Sequence, residues 1–486
     1  MKDLFITTIL SACFVMTFDI STRAAELPQG IEVVLENTKP LEFSRGRRLP
    51  LYLWPAMGLG DVDEATAERI VKLLDERGVG LISTWHPGED RREKSLAAAL
   101  TVAKVQDRLG LRVNVNANAC HYSFFNGDER TAHVDEEAKP FWDDSFGEGH
   151  KMGCPFALDF RRQPMREQVD FFVRGYHEAG VPLDFVFADW EIDGPQEFNR
   201  AHAASKRCVR CRAQIENIGD FATFQKTLRD LRCDLTRECY SRPILDRFPK
   251  ALIGNYAVYP NNGLRYWYDY FEAFVEGQPH VLDGRARYRR WNEDFARTGY
   301  TFAMPVVYTW YPTFGWYDFD DPDYRWFYNM LLVASNAGRH APADVPIITF
   351  VHWHTTAPPE NPDPAVRQFS GEKYQELLWH MLLRGHDTFF LWCPASEAEE
   401  EIRLLHPVWA AAQEYGEFLN NGIPVNFDVP DRPGPVVSGL RLGHRVLIRR
   451  TDFGESFGNV DLHVGDETLS VPPLTGRCRV MTLRGR

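Results

Sequence analysis

The chain has 486 residues, 44% hydrophobic and 25% charged, which is a globular composition with material for a large core and length for more than one domain. A formal net charge of -13 comes with no basic stripe to displace counterions, and this argues against nucleic acid as a partner. Aromatics reach 13%, with 13 Trp, 18 Tyr and 33 Phe. That excess fits either an aromatic core or a cleft whose rings stack on the apolar faces of sugars.

Residues 1–24 read as an export signal: Lys2, an apolar run from Leu4 to Phe18, then Thr22 and Ala24 placed as in a small-residue cleavage site. The run is too short for a permanent anchor, so an exported protein without a stable membrane span is expected. Cys13 also lies in a lipoprotein-like box; ordinary cleavage is the preferred reading because apolar residues continue beyond it. Gly30 to Glu42 reads as one or two short strands.

An alternation then begins. Leu49–Pro55 is a strand, Asp63–Arg77 a helix with apolar residues at Ala67, Ile70, Val71, Leu73 and Leu74, and Gly80–Trp85 the next strand. A helix over Glu93–Leu109 leads to a third strand, Leu111–Ala117. Strand and helix in turn are the mark of right-handed βαβ units and a parallel sheet. The loop that follows, about 118–163, is long enough to be a lid or wall over a site. After the helix Met165–Ala179, the fourth strand is Leu183–Trp190, an apolar run that ends on Asp189 and Glu191. Period two puts these acids on one face, with Trp190 on the other. Two neighbouring carboxylates are costly to bury unless hydrogen-bonded or sharing a proton, and one raises the pKa of the other, which suits acid catalysis. The plainer alternative has them capping a helix or pairing with Arg.

Cleavage would leave eight cysteines, among them Cys120 and Cys154, and a polar excursion, about 195–248, carries four of them, Cys208, Cys211, Cys233 and Cys239. Cys-x-x-Cys is half of a zinc site, and the other two thiols could complete a four-thiolate set; an oxidising compartment favours disulfides instead. Four more strands follow: Ala251–Tyr259, Thr301–Trp310, Val345–Trp353 and Asp387–Trp392, with helices over Glu372–Arg384 and Glu397–Leu419. Eight strands point to a (β/α)8 TIM barrel over 25–420, with the active site where the strand ends converge. From 421 to 486 the short strands and turn signals of a small all-β sandwich take over.

Paired acids at the end of barrel strand four, with aromatics around the mouth, point to glycoside hydrolysis. An ordinary retaining enzyme needs a second acid across the ring as nucleophile, and none stands at the ends of strands six to eight. This favours a substrate-assisted mechanism, in which the sugar's acetamido oxygen attacks its own anomeric carbon. Phe187-Ala-Asp189-Trp190-Glu191 resembles the Asp-x-Glu signature of chitinase-like hydrolases and the Asp-Trp-Glu of hyaluronidases. The segments Pro50–Pro55, Asn255–Pro260, Met304–Tyr308 and Leu391-Trp392 are similar to the hyaluronidase pattern. The resemblance implies Glu191 as general acid and Asp189 as the partner of the acetamide N–H. It further implies Tyr256 or Tyr259, with Tyr308, on the acetamide oxygen, and Trp392 as the floor of the subsite. Chitinases carry a further Asp where this chain has Phe187, and the cysteines match neither family.

The residues themselves add Trp310, His352 and Trp353 as sugar contacts or core aromatics. His352 and His354 alternate as metal ligands would, but no third ligand is evident in the sequence, so neither metal nor cofactor is expected. The partner is a glycan containing N-acetylhexosamine. The alternatives are a conventional two-carboxylate glycosidase drawing its second acid from Asp318, Asp320 or Asp321, and an exported sugar-binding barrel without catalysis.

Overall fold

In the computed structural model, the described residues are 27–118, 127–144, 149, 151–157, 159–189, 202–256, 295–310, 320–356, 367–454, 458–474 and 476–484. The export-signal reading, Cys13 and Cys120 lie outside them, and no helix among them is long and apolar enough to cross a membrane.

The first element corrects the sequence reading. Gln29–Asn37 is a helix, α1, where strands were expected. Its β-branched residues favour a strand, but Ile31 and Val34, one turn apart, are buried against the barrel, and that packing overrides propensity. Gly30 permits the close approach, since a Cβ there would lie 2.3 Å from the Pro55 carbonyl oxygen.

The alternating elements follow as β1 (Leu51–Met57), α2 (Glu64–Asp75), β2 (Val79–Thr84), α3 (Arg92–Arg108), β3 (Asn114–Asn116), α4 (Asp159–Glu178) and β4 (Phe185–Phe187). The excursion after β4 contains α5 (His202–Arg207), α6 (Val209–Gln214) and α7 (Phe221–Thr236) before β5 (Leu252–Gly254). Then come β6 (Val306–Trp310), α8 (Pro322–His340), β7 (Ile348–Thr356), α9 (Gly371–Leu382), β8 (Thr388–Leu391) and α10 (Ala398–Ala412). Helix α2 shows how sequence sets these boundaries. The Asp63 carboxylate accepts from the Thr66 N–H, Ala67, Ile70, Val71 and Leu74 face inward, and Gly78 turns the chain at φ +70°.

All eight strands lie in one curled sheet, every pairing parallel, in the order β5-β4-β3-β2-β1-β8-β7-β6. This is the strand order of a (β/α)8 barrel cut between β5 and β6. The two end strands meet at their amino ends through Thr301, whose N–H donates to the Ile253 carbonyl (2.9 Å) while its Oγ1 accepts from the Ile253 N–H (2.8 Å).

The interior of the sheet is aromatic. Tyr52 stacks on Phe185 at 4.4 Å and Phe185 on Phe302 at 5.2 Å. Nearer the carboxyl ends, Phe187, Tyr256, Phe350 and Phe390 close over one another, with Tyr256 and Phe350 parallel at 4.9 Å. Outside β3, β4 and β5 a second core joins Val115, Val186 and Ile253 to α4 through Phe172 and Tyr176. Much of the aromatic excess in the sequence is therefore packing.

Past Asn421 the chain forms β9 (Ile423–Pro424), β10 (Val436–Leu442), β11 (Arg445–Thr451), β12 (Val460–Val464), β13 (Glu467–Val471) and β14 (Arg479–Thr482). A four-stranded antiparallel sheet, β9-β10-β11-β14, and the hairpin β12-β13 share a small core of Val437, Val446, Ile448, Leu462, Leu469 and Val471. Buried polar side chains join the four-stranded sheet to α9 and the residues after it. Arg449 donates twice to Glu376 (2.8 and 2.6 Å), His380 lies between Ser438 and Thr451, and Arg384 donates to Ser438 and Ser335. Burial pushes the Arg384 guanidinium down to about 9 and keeps His380 neutral, its pKa well below the usual value.

Candidate active site

Parallel strands deliver their carboxyl ends to one rim, and the rim is where the polar interior residues collect. On β3, Asn114 and Asn116 point inward between apolar neighbours: the Tyr52 hydroxyl meets Asn114 Oδ1 at 3.2 Å, and Asn116 Nδ2 donates to Asp189 Oδ2 at 3.2 Å. Asn116 stands level with Phe187 and Gly254 in the sheet. Asp189, two residues beyond Phe187 on the inward face, thus sits just above the aromatic layer. Its backbone is left-handed, at φ +49°, so β4 ends before the acid and the chain turns sharply there. Glu191, Trp190 and Tyr259 lie outside the described residues.

Of the other residues singled out in the sequence, Tyr256 is buried at the end of β5, its ring sandwiched by Phe187 and Phe350. Tyr308 and Trp310 belong to β6 by their backbone, Tyr308 level with His352 of β7. Trp392 follows β8 and meets the His352 ring edge to face at 5.2 Å. Trp353 takes the second of its two expected places, in the core. It alternates to the outer face of β7, is buried, and donates its indole N–H to the Phe369 carbonyl at 3.1 Å, so it is a packing residue. Of the acids proposed as a conventional nucleophile, Asp321 caps α8, accepting the Asp323 N–H at 2.8 Å, and Asp320 is exposed beside it; Asp318 lies outside the described residues.

Two acids missed in the sequence stand at the rim. Glu401, in the first turns of α10, is fully buried, and its carboxylate accepts from the backbone N–H groups of Trp353 (2.8 Å) and His354 (3.0 Å). The same carboxylate lies 2.8 Å from His352 Nδ1 and 2.9 Å from His354 Nδ1. Burial pushes the Glu401 carboxyl up, but the hydrogen bonds from the two histidines outweigh it and hold the group at about 2. In return the hydrogen bond to Glu401 raises His354, against its partial burial. Glu397 comes within 3.6 Å of His352 Nε2 and 3.5 Å of His354 Nδ1. In sequence these acids sit in the run Glu397-Ala-Glu-Glu-Glu401, which looks like the solvated start of any helix. What marked them was only that they follow the last barrel strand.

His352, Glu397 and Glu401 are near enough to share a cation, which supplies the third ligand the sequence did not reveal. Glu401, however, already accepts from two backbone N–H groups and from the His354 ring, with His352 Nδ1 2.8 Å away, and these contacts explain its burial without an ion. Its role is to fix the end of β7 and the ring of His354.

The described cysteines show no disulfide. Among the described residues all seven are unbonded, and Cys208 and Cys211 do not join Cys233 and Cys239. Cys239 instead lies against the Arg162 carbonyl in the second core, at 3.4 Å, whereas Cys208 and Cys211 meet Cys154 and His133.

No family model and no curated protein matches the chain. Among solved structures it is similar to alpha-L-fucosidase isoenzyme 2 from Paenibacillus thiaminolyticus (12% identity, TM-score 0.44, 77% of this chain and 51% of that one). It is also similar to the GH36 alpha-galactosidase AgaA from Geobacillus stearothermophilus (11%, 0.42, 90% and 55%). Bee venom hyaluronidase is a third (12%, 0.31, 55% and 81%). The chain spans about half the length of the first two.

Proposed function

We propose that the chain is an exported, retaining glycoside hydrolase that cleaves an N-acetylhexosamine-containing glycan with the substrate's own acetamido oxygen as nucleophile. The observation that carries this reading is Asp189. It is an acid at the carboxyl end of the fourth strand of an eight-stranded parallel sheet, on the inward face, oriented by the Asn116 amide and set on a left-handed turn. Such a carboxylate is suited to accept the acetamide N–H and to offset the charge of an oxazolinium-like intermediate. Glu191, two residues on, is the general acid that protonates the leaving oxygen and then activates water. In this reading Tyr256 or Tyr259, with Tyr308, would bond the acetamide oxygen, Trp392 would form the floor of the subsite, and Trp310 and His352 would contact the sugar.

The mature protein, incubated with acetamido-containing polysaccharides and followed by NMR, is expected to release products of retained configuration and to be inhibited by a thiazoline that mimics the oxazoline. Glu191→Gln is expected to lower turnover by a factor of about 10²–10⁴, the usual weight of a general acid. Inverted products, or turnover confined to sugars without an acetamido group, would defeat the proposal. A second reading draws on Glu397, the N-cap of α10 after the eighth strand, beside His352. Under it a conventional pair of acids works across the mouth, the thiazoline binds poorly, and Glu397→Ala abolishes turnover.

A further inference from the structure

The long loop after β3 and the excursion after β4 are brought together at one point by side chains with metal-binding chemistry. The loop supplies His133, from a two-stranded hairpin pairing His133–Val134 with Pro140–Phe141, and Cys154. The excursion supplies Cys208, the N-cap of α6, and Cys211, one turn into that helix. One ligand atom from each lies within 4.8 Å of those of the other three, and all four residues are buried.

The spacing between the sulfurs is informative. Cys154 Sγ lies 3.5 Å from Cys211 Sγ and 3.8 Å from Cys208 Sγ. A disulfide would need about 2.05 Å. Ligands at about 2.3 Å from a tetrahedral zinc stand about 3.8 Å apart, which is the separation found. His133 gives a second, independent sign. It is wholly buried, and the one polar group its ring meets among the described residues is the Cys208 sulfur; neither ring nitrogen makes a well-formed hydrogen bond to any other described residue. An imidazole left in that state is costly, and a metal bond removes part of the cost.

The surroundings match. The Val134 N–H is directed at the Cys208 sulfur and the Phe156 N–H at the Cys154 sulfur, as donors to thiolates are. The His133 ring is stacked on Phe141 at 5.1 Å, and Arg207 lies over the same Phe141 ring at 4.5 Å. Arg210, on α6 beside the cluster, donates to the Ala132 carbonyl at 3.0 Å. Three thiolates and one divalent ion carry a net negative charge, and these two guanidinium groups offset it. Gly153, next to Cys154, allows the strands of the loop to close: a Cβ there would lie 2.3 Å from the Thr131 carbonyl oxygen.

We infer that His133, Cys154, Cys208 and Cys211 form a structural zinc site of the three-cysteine, one-histidine type, which ties the loop after β3 to the excursion after β4. Four protein ligands leave no open position, so the ion does no chemistry on the substrate. Soft thiolates select zinc over calcium, magnesium or manganese. Bound in this way, the three sulfurs are also kept from pairing in an oxidising compartment.

The test uses the full chain, purified without chelators and without a metal-affinity step, with bound metals measured by inductively coupled plasma mass spectrometry. One zinc per chain is expected, released in step with titration by a thiol-specific mercurial. The double variant Cys233→Ser/Cys239→Ser is expected to keep the ion, which separates this site from the four-thiolate set suggested by sequence. Replacement of zinc by cobalt is expected to give the thiolate charge-transfer bands of a tetrahedral site, and His133→Cys to strengthen them. Should Cys208→Ser/Cys211→Ser fail to fold, the wild-type metal content still decides. A wild-type chain that binds no zinc, or whose mass shows two of these cysteines joined as a disulfide, overturns the inference whatever the fate of the catalytic proposal.

Discussion

Replacing Glu401 by Gln removes one charge from the most heavily bonded carboxylate of the rim. Holding that carboxyl at about 2 instead of 4.5 corresponds to a stabilisation of about 3 kcal/mol near neutral pH, an order-of-magnitude figure that agrees with the cost of breaking buried ion pairs. Gln can still accept from a backbone N–H, but its own amide hydrogens would face donors on Trp353, His352 and His354. The pH dependence fixes the sign. Glu401 is depressed, so its contribution is complete above pH 4.5 and disappears as the pH falls toward 2. His354 is raised, so its share is complete below pH 6.5 and is lost as the pH climbs through its higher folded value. The pair therefore stabilises most between pH 4.5 and 6.5. Urea unfolding followed by tryptophan fluorescence at pH 6, compared for wild type and Glu401→Gln, is expected to show a loss of about 3 kcal/mol. The variant should also lack the acid limb between pH 4.5 and 2. A variant within about 0.5 kcal/mol of wild type, the range of ordinary surface changes, with an identical acid limb, would refute the assignment of Glu401 as the anchor of β7.

Three other perturbations test the remaining parts. Glu376→Ala leaves Arg449 buried without its bidentate partner and is expected to cost about 3–5 kcal/mol, read as a lower urea midpoint; an unchanged midpoint would show that the C-terminal sheet is not held by this pair. Gly78→Ala puts a Cβ 2.4 Å from the Trp409 ring at a φ of +70°, and a loss of more than about 1 kcal/mol is expected from strain alone; a more stable variant would contradict it. Asn116→Ala frees Asp189 from its oriented hydrogen bond without removing the acid. A fall in kcat of about tenfold or more, from about 1.4 kcal/mol of lost positioning, with the overall fold unaltered by circular dichroism, is expected; kinetics equal to wild type would make Asn116 a core residue only.

What could be read from the sequence was what depends on short spacings. Ala67, Ile70, Val71 and Leu74 announce α2 because a helix buries residues three and four apart, and the apolar run before Asp189 announces β4 because a strand buried on both faces needs no alternation. Period two along that strand anticipates an inward Asp189, although the strand itself ends at Phe187 and the Asn116 hydrogen bond is what holds the acid there. Where a local preference and a distant packing partner disagree, the partner wins. Gln29–Asn37 is a helix because the barrel surface accepts Ile31 and Val34 from one side, and no count of β-branched residues within the segment contains that information.

The ligand sets show the same division more sharply. Cys208 and Cys211 are visible as a pair because residues three apart lie about one helical turn apart, and the nearest further cysteines downstream, Cys233 and Cys239, are natural companions for them on that basis. The chain instead reaches back more than fifty residues to Cys154 and further to His133. In the same way the partners of His352 and His354 come from α10, beyond the next strand. Spacing along a chain determines which side chains share a face. Which faces meet is decided by the closure of the sheet and the course of its loops, because contacts between distant segments form only where tertiary packing repays the entropy of bringing them together.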